Sequence, residues 1–261
     1  MLSLKQSLKN RKVKLMRNFG IAFWHWLLCL NERERPIKDA AEKLQMSMRT
    51  TAKCRYNAAV RLQHQSKYAV FTTTFLSLGL VFIPLMQNAG VPLAFRPNVL
   101  NMMQIFLGVS VLVYSVVIGT ARYEIRSTQL TECGDKLKEL IRELDKGREE
   151  STDSLIMPGK LSEFQMRYSD IFTDVENHNR NDYRFATLEM IRDYFVTGLP
   201  RLKLFMEAHA IRAFSFVLPT ILLIFEVIFI TDMIGATSVL PKYLNGTSVA
   251  TQIQLSASDK K

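Results

Sequence analysis

Residues 68–95 and 97–121 contain no charged side chain, and only Arg96 stands between them. A chain with two such runs has to remove both from water, in a core or in a bilayer. A helix packed on a soluble core normally keeps one charged, wet face, and neither run supplies one. The apolar heart of the first, AVFTTTFLSLGLVFIPLM over 69–86, would rise about 27 Å as a helix, close to the hydrocarbon thickness of a bilayer. The second, 99–121, is long enough to cross with some tilt. Between them QNAGVPLAFRPN carries Gly90, Pro92 and Pro97, which are turn signals, so a tight hairpin with its loop at 87–98 is expected.

Charge placement orients that hairpin. The net charge is +10, and the first 68 residues hold 15 Lys/Arg against 4 Asp/Glu, whereas 122–212 hold 15 against 17. Basicity confined to the flank of apolar spans fits the cytoplasmic surface of a membrane and excludes a spread nucleic-acid face. Lys53, Arg55, Arg61 and Lys67 precede the first span, Arg122 and Arg126 follow the second, and the loop has Arg96 alone. The expectation is a multi-pass protein of the inner (plasma) membrane, N-terminus cytoplasmic and loop outside, in contact with membrane lipids. Cys29, Cys54 and Cys133 all fall on the cytoplasmic side without a CxxC pair, so reduced thiols are expected. FGIAFWHWLLCL, 19–30, is short for a span, lacks a cleavage site, and reads as an interfacial or packed helix through Trp24 and Trp26.

The flanks are helical by pattern, giving an all-α membrane protein in which cytoplasmic helices extend a two-span hairpin. Region 1–68 is basic, and its Leu44, Met48, Ala52, Ala59 and Leu62 form an amphipathic helix feeding the first span. Region 122–212 opens with Leu130, Cys133, Leu137, Leu140 and Leu144 at heptad-like spacing. No breaker separates 99 from 144, so the second span is expected to run on into the cytoplasm as one helix. The leucine seam Leu130, Leu137, Leu140, Leu144 can pair with another subunit, making a homo-oligomer, or with the helix entering the first span. KGREESTDSLIMPGK then breaks the chain, and a helix is expected from about Leu161. Asp170, Asp174, Glu176, His178 and Asp182 lack metal-ligand spacing and read as a solvated helix face with a polar cap. No phosphate loop, nucleophile elbow or Cys–His pair is present, so no catalytic, cofactor-binding or metal residue is named and no enzyme is expected.

The order of these parts, from MSMRTTAKCRYNAAVRLQHQSKYA through the hairpin to YSDIFTDVENHNRNDY, resembles the SLATT family of two-transmembrane effector domains from bacterial conflict systems. The resemblance covers roughly 40–195, and its sharpest element is Tyr168, Glu176, Asn177, His178 and Asp182. It implies an antiviral membrane effector that answers a nucleotide-synthesising or nucleotide-sensing partner and forms a pore or otherwise compromises the membrane, ending in cell death or growth arrest. The competing reading is a membrane-anchored sensing or scaffolding module that recruits a partner without conducting ions.

Beyond that pattern lies a third apolar run, 213–235, interrupted by Glu226 and Asp232, before a Ser/Thr/Gln-rich tail at 236–261 expected to be flexible. It is either a third span or an interfacial, docked helix, since a carboxylate lowers insertion by a few kcal/mol. Glu226 either lines an aqueous path contributed by several subunits, with Asp232 nearer its outer mouth, or stays protonated between packed helices.

Overall fold

The computed structural model describes residues 22–149, 158–173 and 175–245. Parts of the sequence reading that concern 1–21, 150–157, Asp174 and 246–261 lie outside the described residues. After a helical stretch at 22–28 the named elements are α1 (Ala40–Asn88), α2 (Pro97–Ala121), α3 (Tyr123–Glu149), α4 (Pro158–Thr173), α5 (Arg180–Glu189), α6 (Gly198–Phe214), α7 (Val217–Met233) and α8 (Pro241–Leu244). Among the described residues no strand forms; a single antiparallel bridge joins Glu34 to Tyr194. The chain is all-α.

It divides into two compact units, Met1–Gln63 with Glu124–Phe214, and His64–Tyr123 with Ser215–Lys261. The second unit contains the uncharged runs. Hydroxyls within them are disposed of locally: Thr72, Thr73, Thr74 and Ser77 each donate to the carbonyl four residues back, at 2.8–3.0 Å. That leaves no free hydroxyl donor on α1 where it turns apolar, as a low-dielectric setting requires. Its core joins Leu76 and Ile83 of α1, Leu100, Met103 and Leu107 of α2, and Phe229 and Met233 of α7, with Phe95 stacked on Phe229 at 4.6 Å. The opposite side of α2 exposes Ile105, Val109, Leu112, Val113 and Val116. An apolar helical face of that extent belongs against lipid or another apolar surface. Two stretches, α1 and 97–149 (α2 with α3, interrupted at Arg122), are long and apolar enough to cross a membrane; a third crossing exists if α6 and α7 count as one broken span.

Three departures from the sequence reading have local causes. The second span does not pass unbroken into α3, because Arg122 adopts a left-handed conformation (φ 46°, ψ 42°) that caps α2 before the helix resumes at Tyr123. The run 213–235 is not a single helix: Ala213 and Phe214 finish α6, and a turn at Ser215–Phe216 separates them from the 17-residue α7. The tail does not loosen at 236, since Asp232 gathers the 237–240 turn ahead of α8.

In the first unit α1 and α3 lie side by side. Leu44 and Met48 pack with Leu140 and Leu144, and Ala52 packs with Cys133 and Leu137. Leu130, Leu137, Leu140 and Leu144 are each at most 1% exposed in the single chain. Of the two partners open to this seam, α1 occupies it here. Tyr168 and Ile171 of α4 cover the same two clusters, and Phe185 and Leu188 of α5 pack on Ala208 of α6.

Candidate functional site

Each unit contains a costly polar arrangement. In the first unit it is a clamp between α1 and the 176–182 segment. Arg55, 3% exposed, donates to the Glu176 carbonyl. Arg61 holds Asp182 with two hydrogen bonds of 3.0 Å, from Nε to Oδ1 and from an η nitrogen to Oδ2. Asp182 is 1% exposed, and its Oδ2 also accepts the Asn179 N–H at 3.0 Å, closing the first turn of α5. Glu176 receives Arg126 of α3 at 2.7 and 3.2 Å. Tyr168 adds a hydroxyl contact to Thr51 at 2.7 Å and to Ser47 at 3.2 Å. Four residues of the Tyr-Glu-His-Asp element thus surround one stretch of α1, with Asn177 turned to the surface.

Asp170 and Glu176 are exposed and Asp182 supplies the polar cap of α5, as the solvated-face reading has it; the reading fails for the helix between them and for the burial of Asp182. Residues 175–179 are not helical, and Asp182 is buried with a bidentate partner. Arg55 and Arg61, taken from the sequence as topology signals, are the groups that organise the clamp. Nothing in their spacing announces it; the only cue is that both sit on the side of an amphipathic helix shared with Ala58 and Leu62.

Ionisation follows from burial. The Cys54 thiol is pushed up to about 12 by desolvation and secondarily by Asp182, so it stays a neutral thiol. Cys133 is raised by burial, with Arg55 opposing, and Cys29, Cys54 and Cys133 are all free and buried. His178 is held below its ordinary 6.5, first by desolvation and then by the Arg55 guanidinium, with Asp182 acting the other way. A histidine whose folded value is depressed binds its proton more readily in the unfolded chain, so stability falls as pH drops through 6.5. Melting of the detergent-solubilised protein between pH 7.5 and 5.5 should show this loss, and His178→Gln should flatten it. An equal slope in the variant would assign the pH dependence elsewhere.

In the second unit the costly group is Glu226. It is 0% exposed, and neither carboxyl oxygen has a hydrogen-bond partner. It lies directly against Gly79 of α1, where a Cβ would stand 2.9 Å from Glu226 Cδ and still nearer Oε1. A larger residue at 79 would force the Glu226 side chain to move. Asp232, also 0% exposed, is the opposite case: its oxygens accept the N–H groups of Val239 at 3.1 Å and Leu240 at 2.6 Å and the Thr237 hydroxyl. Asp232 is therefore satisfied by a turn, whereas Glu226 has only the Gly79 backbone beside it and no side-chain partner. Gly79 escaped the sequence reading because one glycine in an apolar run has no periodic signature.

Long apolar helices joined to basic amphipathic ones, with the Tyr-Glu-His-Asp element folded back on the first of them, coincide with a known domain. Residues 37–232 match the family model described as SMODS and SLOG-associating 2TM effector domain family 5. The chain belongs to this SLATT family. No curated protein and no solved structure matches it. Membership makes this a multi-pass membrane protein of the effector class associated with conflict systems, as its apolar helices require. Both α1 and α2 lie wholly inside the matched SLATT region, as does Glu226; Asp232 is its last residue.

Proposed function

We propose that this SLATT protein is a membrane effector that opens an ion-permeable path across the inner membrane, stopping growth or killing the cell when a nucleotide-synthesising or nucleotide-sensing partner signals. The observation that carries this reading is Glu226. A membrane anchor gains nothing from an unpartnered carboxyl between two apolar helices, and the group costs a few kcal/mol there. A protein whose spans rearrange to admit water has a use for it, because a hydrated carboxylate favours cations. The described conformation is then the resting one, with Glu226 shut against Gly79. Because Leu137, Leu140 and Leu144 are occupied by α1 and Leu130 is buried, assembly into a homo-oligomer would draw on the exposed face of α2, around Ile105, Leu112 and Val116.

The test is to induce the full-length protein in bacterial cells, with and without a candidate partner, while following membrane potential with a voltage-sensitive dye. Depolarisation within minutes of signalling supports the effector reading. Intact potential together with stable capture of the partner supports a scaffold and overturns it.

Orientation is proposed with both basic flanks in the cytoplasm, because carrying Lys/Arg clusters across is disfavoured. Val91, exposed in the hairpin loop, is the position to probe. In a background lacking the native cysteines, Val91→Cys should react with an impermeant maleimide on spheroplasts. Reaction only after lysis would reverse the topology.

A further inference from the structure

A cleft of about 550 Å³ opens between the first half of α1 and α3, with Met190 and Arg192 also on its lining. Five cationic side chains line it, Arg49, Lys53, Lys138, Arg142 and Arg192, against one carboxylate, Asp145. Arg49 is held by Asp193 at 3.1 Å and Lys53 by Glu189 at 2.9 Å, while Gln45 donates to Asp145 at 2.5 Å. Lys138, Arg142 and Arg192 make no ion pair among the described residues. Lys138, Arg142 and Arg192 thus share the cleft with one carboxylate, Asp145, and an anion that enters relieves the excess of positive charge.

The floor of the cleft is fixed. The Tyr56 ring packs against Gly134, where a Cβ would stand 2.8–3.0 Å from its carbons. Its hydroxyl donates to Asp135 at 2.5 Å, and Lys138 Nζ sits 4.1 Å from its centroid. The aromatic face and its cation are therefore preset, which lowers the ordering cost of a ligand.

We propose that this cleft binds a small phosphate-bearing anion. Its volume suits a small molecule. Arg142 and Arg192 supply planar forks that match phosphate oxygens, and Lys138 adds a point charge. A long polyanion is disfavoured, because Glu132 and Glu139 stand on the adjoining surface of α3. The proposal is independent of ion conduction.

Isothermal titration of pyrophosphate into full-length protein in a neutral detergent tests it. Saturable binding at one site per chain is expected, weakening as salt rises from 50 to 300 mM. Lys138→Gln with Arg142→Gln should reduce affinity about tenfold or more, whereas Lys203→Gln, on a distant and exposed side chain, should not. Both altered side chains are exposed, so the double variant should elute and melt like the parent. Two competitors separate the sources of phosphate. Displacement by ADP and not by phosphatidylcholine vesicles containing phosphatidate assigns a soluble phosphate ester, and the reverse assigns a lipid headgroup. Absence of saturable heat, or equal affinity in the double variant, overturns the site. Neither result bears on depolarisation, which is read in cells.

Discussion

Replacing Glu226 by methionine should make the protein more stable and less active. Methionine keeps the length and flexibility of glutamate, so the contact with Gly79 is refilled with little repacking. What disappears is a buried polar group without a partner, whose burial costs about 1–3 kcal/mol in mutational series. Detergent-solubilised Glu226→Met should accordingly melt several degrees above the parent. If the carboxyl serves a wet, open state, the same substitution should cut depolarisation by an order of magnitude or more, since a sealed apolar contact resists hydration. Glu226→Gln separates charge from packing: assembly is retained, and reconstituted bilayers should show altered cation preference. A stabilised Glu226→Met that depolarises cells as fast as the parent would remove Glu226 from the mechanism. A gain in stability with a loss of function is the pattern expected of a group kept at a cost for its activity.

Two apolar candidate spans were legible in the sequence because absence of charge over a long run has few physical meanings, and α1 and α2 contain their apolar hearts, 69–86 and 99–121. Periodicity likewise gave the face of α3 that is buried, through Leu137, Leu140 and Leu144. It could not give the partner, since a 3-4 pattern is the same whether the facing helix belongs to this chain or another. The cut at Ser215–Phe216 was hidden because neither residue is a strong breaker and the hydropathy continues across it. Polar pairing was the least legible. Arg61 and Asp182 are 121 residues apart, and nothing local in either segment encodes their meeting. Positive-inside logic assigns Arg55 and Arg61 to a membrane surface, a rule about populations of side chains, whereas the fold uses these two individually.

That pairing carries the second large effect. Asp182→Ala leaves the Arg61 guanidinium without its bidentate acceptor and frees the Asn179 N–H that Asp182 Oδ2 accepts. Removing one partner of a buried pair costs about 3–5 kcal/mol, and the lower end applies because the Arg61 side chain retains 19% exposure. A lost capping contact adds up to about 1 kcal/mol. Since Arg55 still reaches the Glu176 carbonyl and Arg126 still holds its carboxylate, the damage should begin at α5 and leave α1 helical. Hydrogen exchange should therefore accelerate over 179–189 far more than over 40–62. Arg61→Ala should cost at least as much as Asp182→Ala, because it leaves a carboxylate with a 2% exposed side chain to the Asn179 N–H alone. In a double-mutant cycle the pair should show a coupling well above the fraction of a kcal/mol typical of exposed ion pairs. Coupling near zero, with exchange unchanged at 179–189, would mean that the clamp does not hold the Tyr-Glu-His-Asp element to α1. If it does hold the resting arrangement, Asp182→Ala should also depolarise cells without a signal, because α1 is the same helix that continues into the first span.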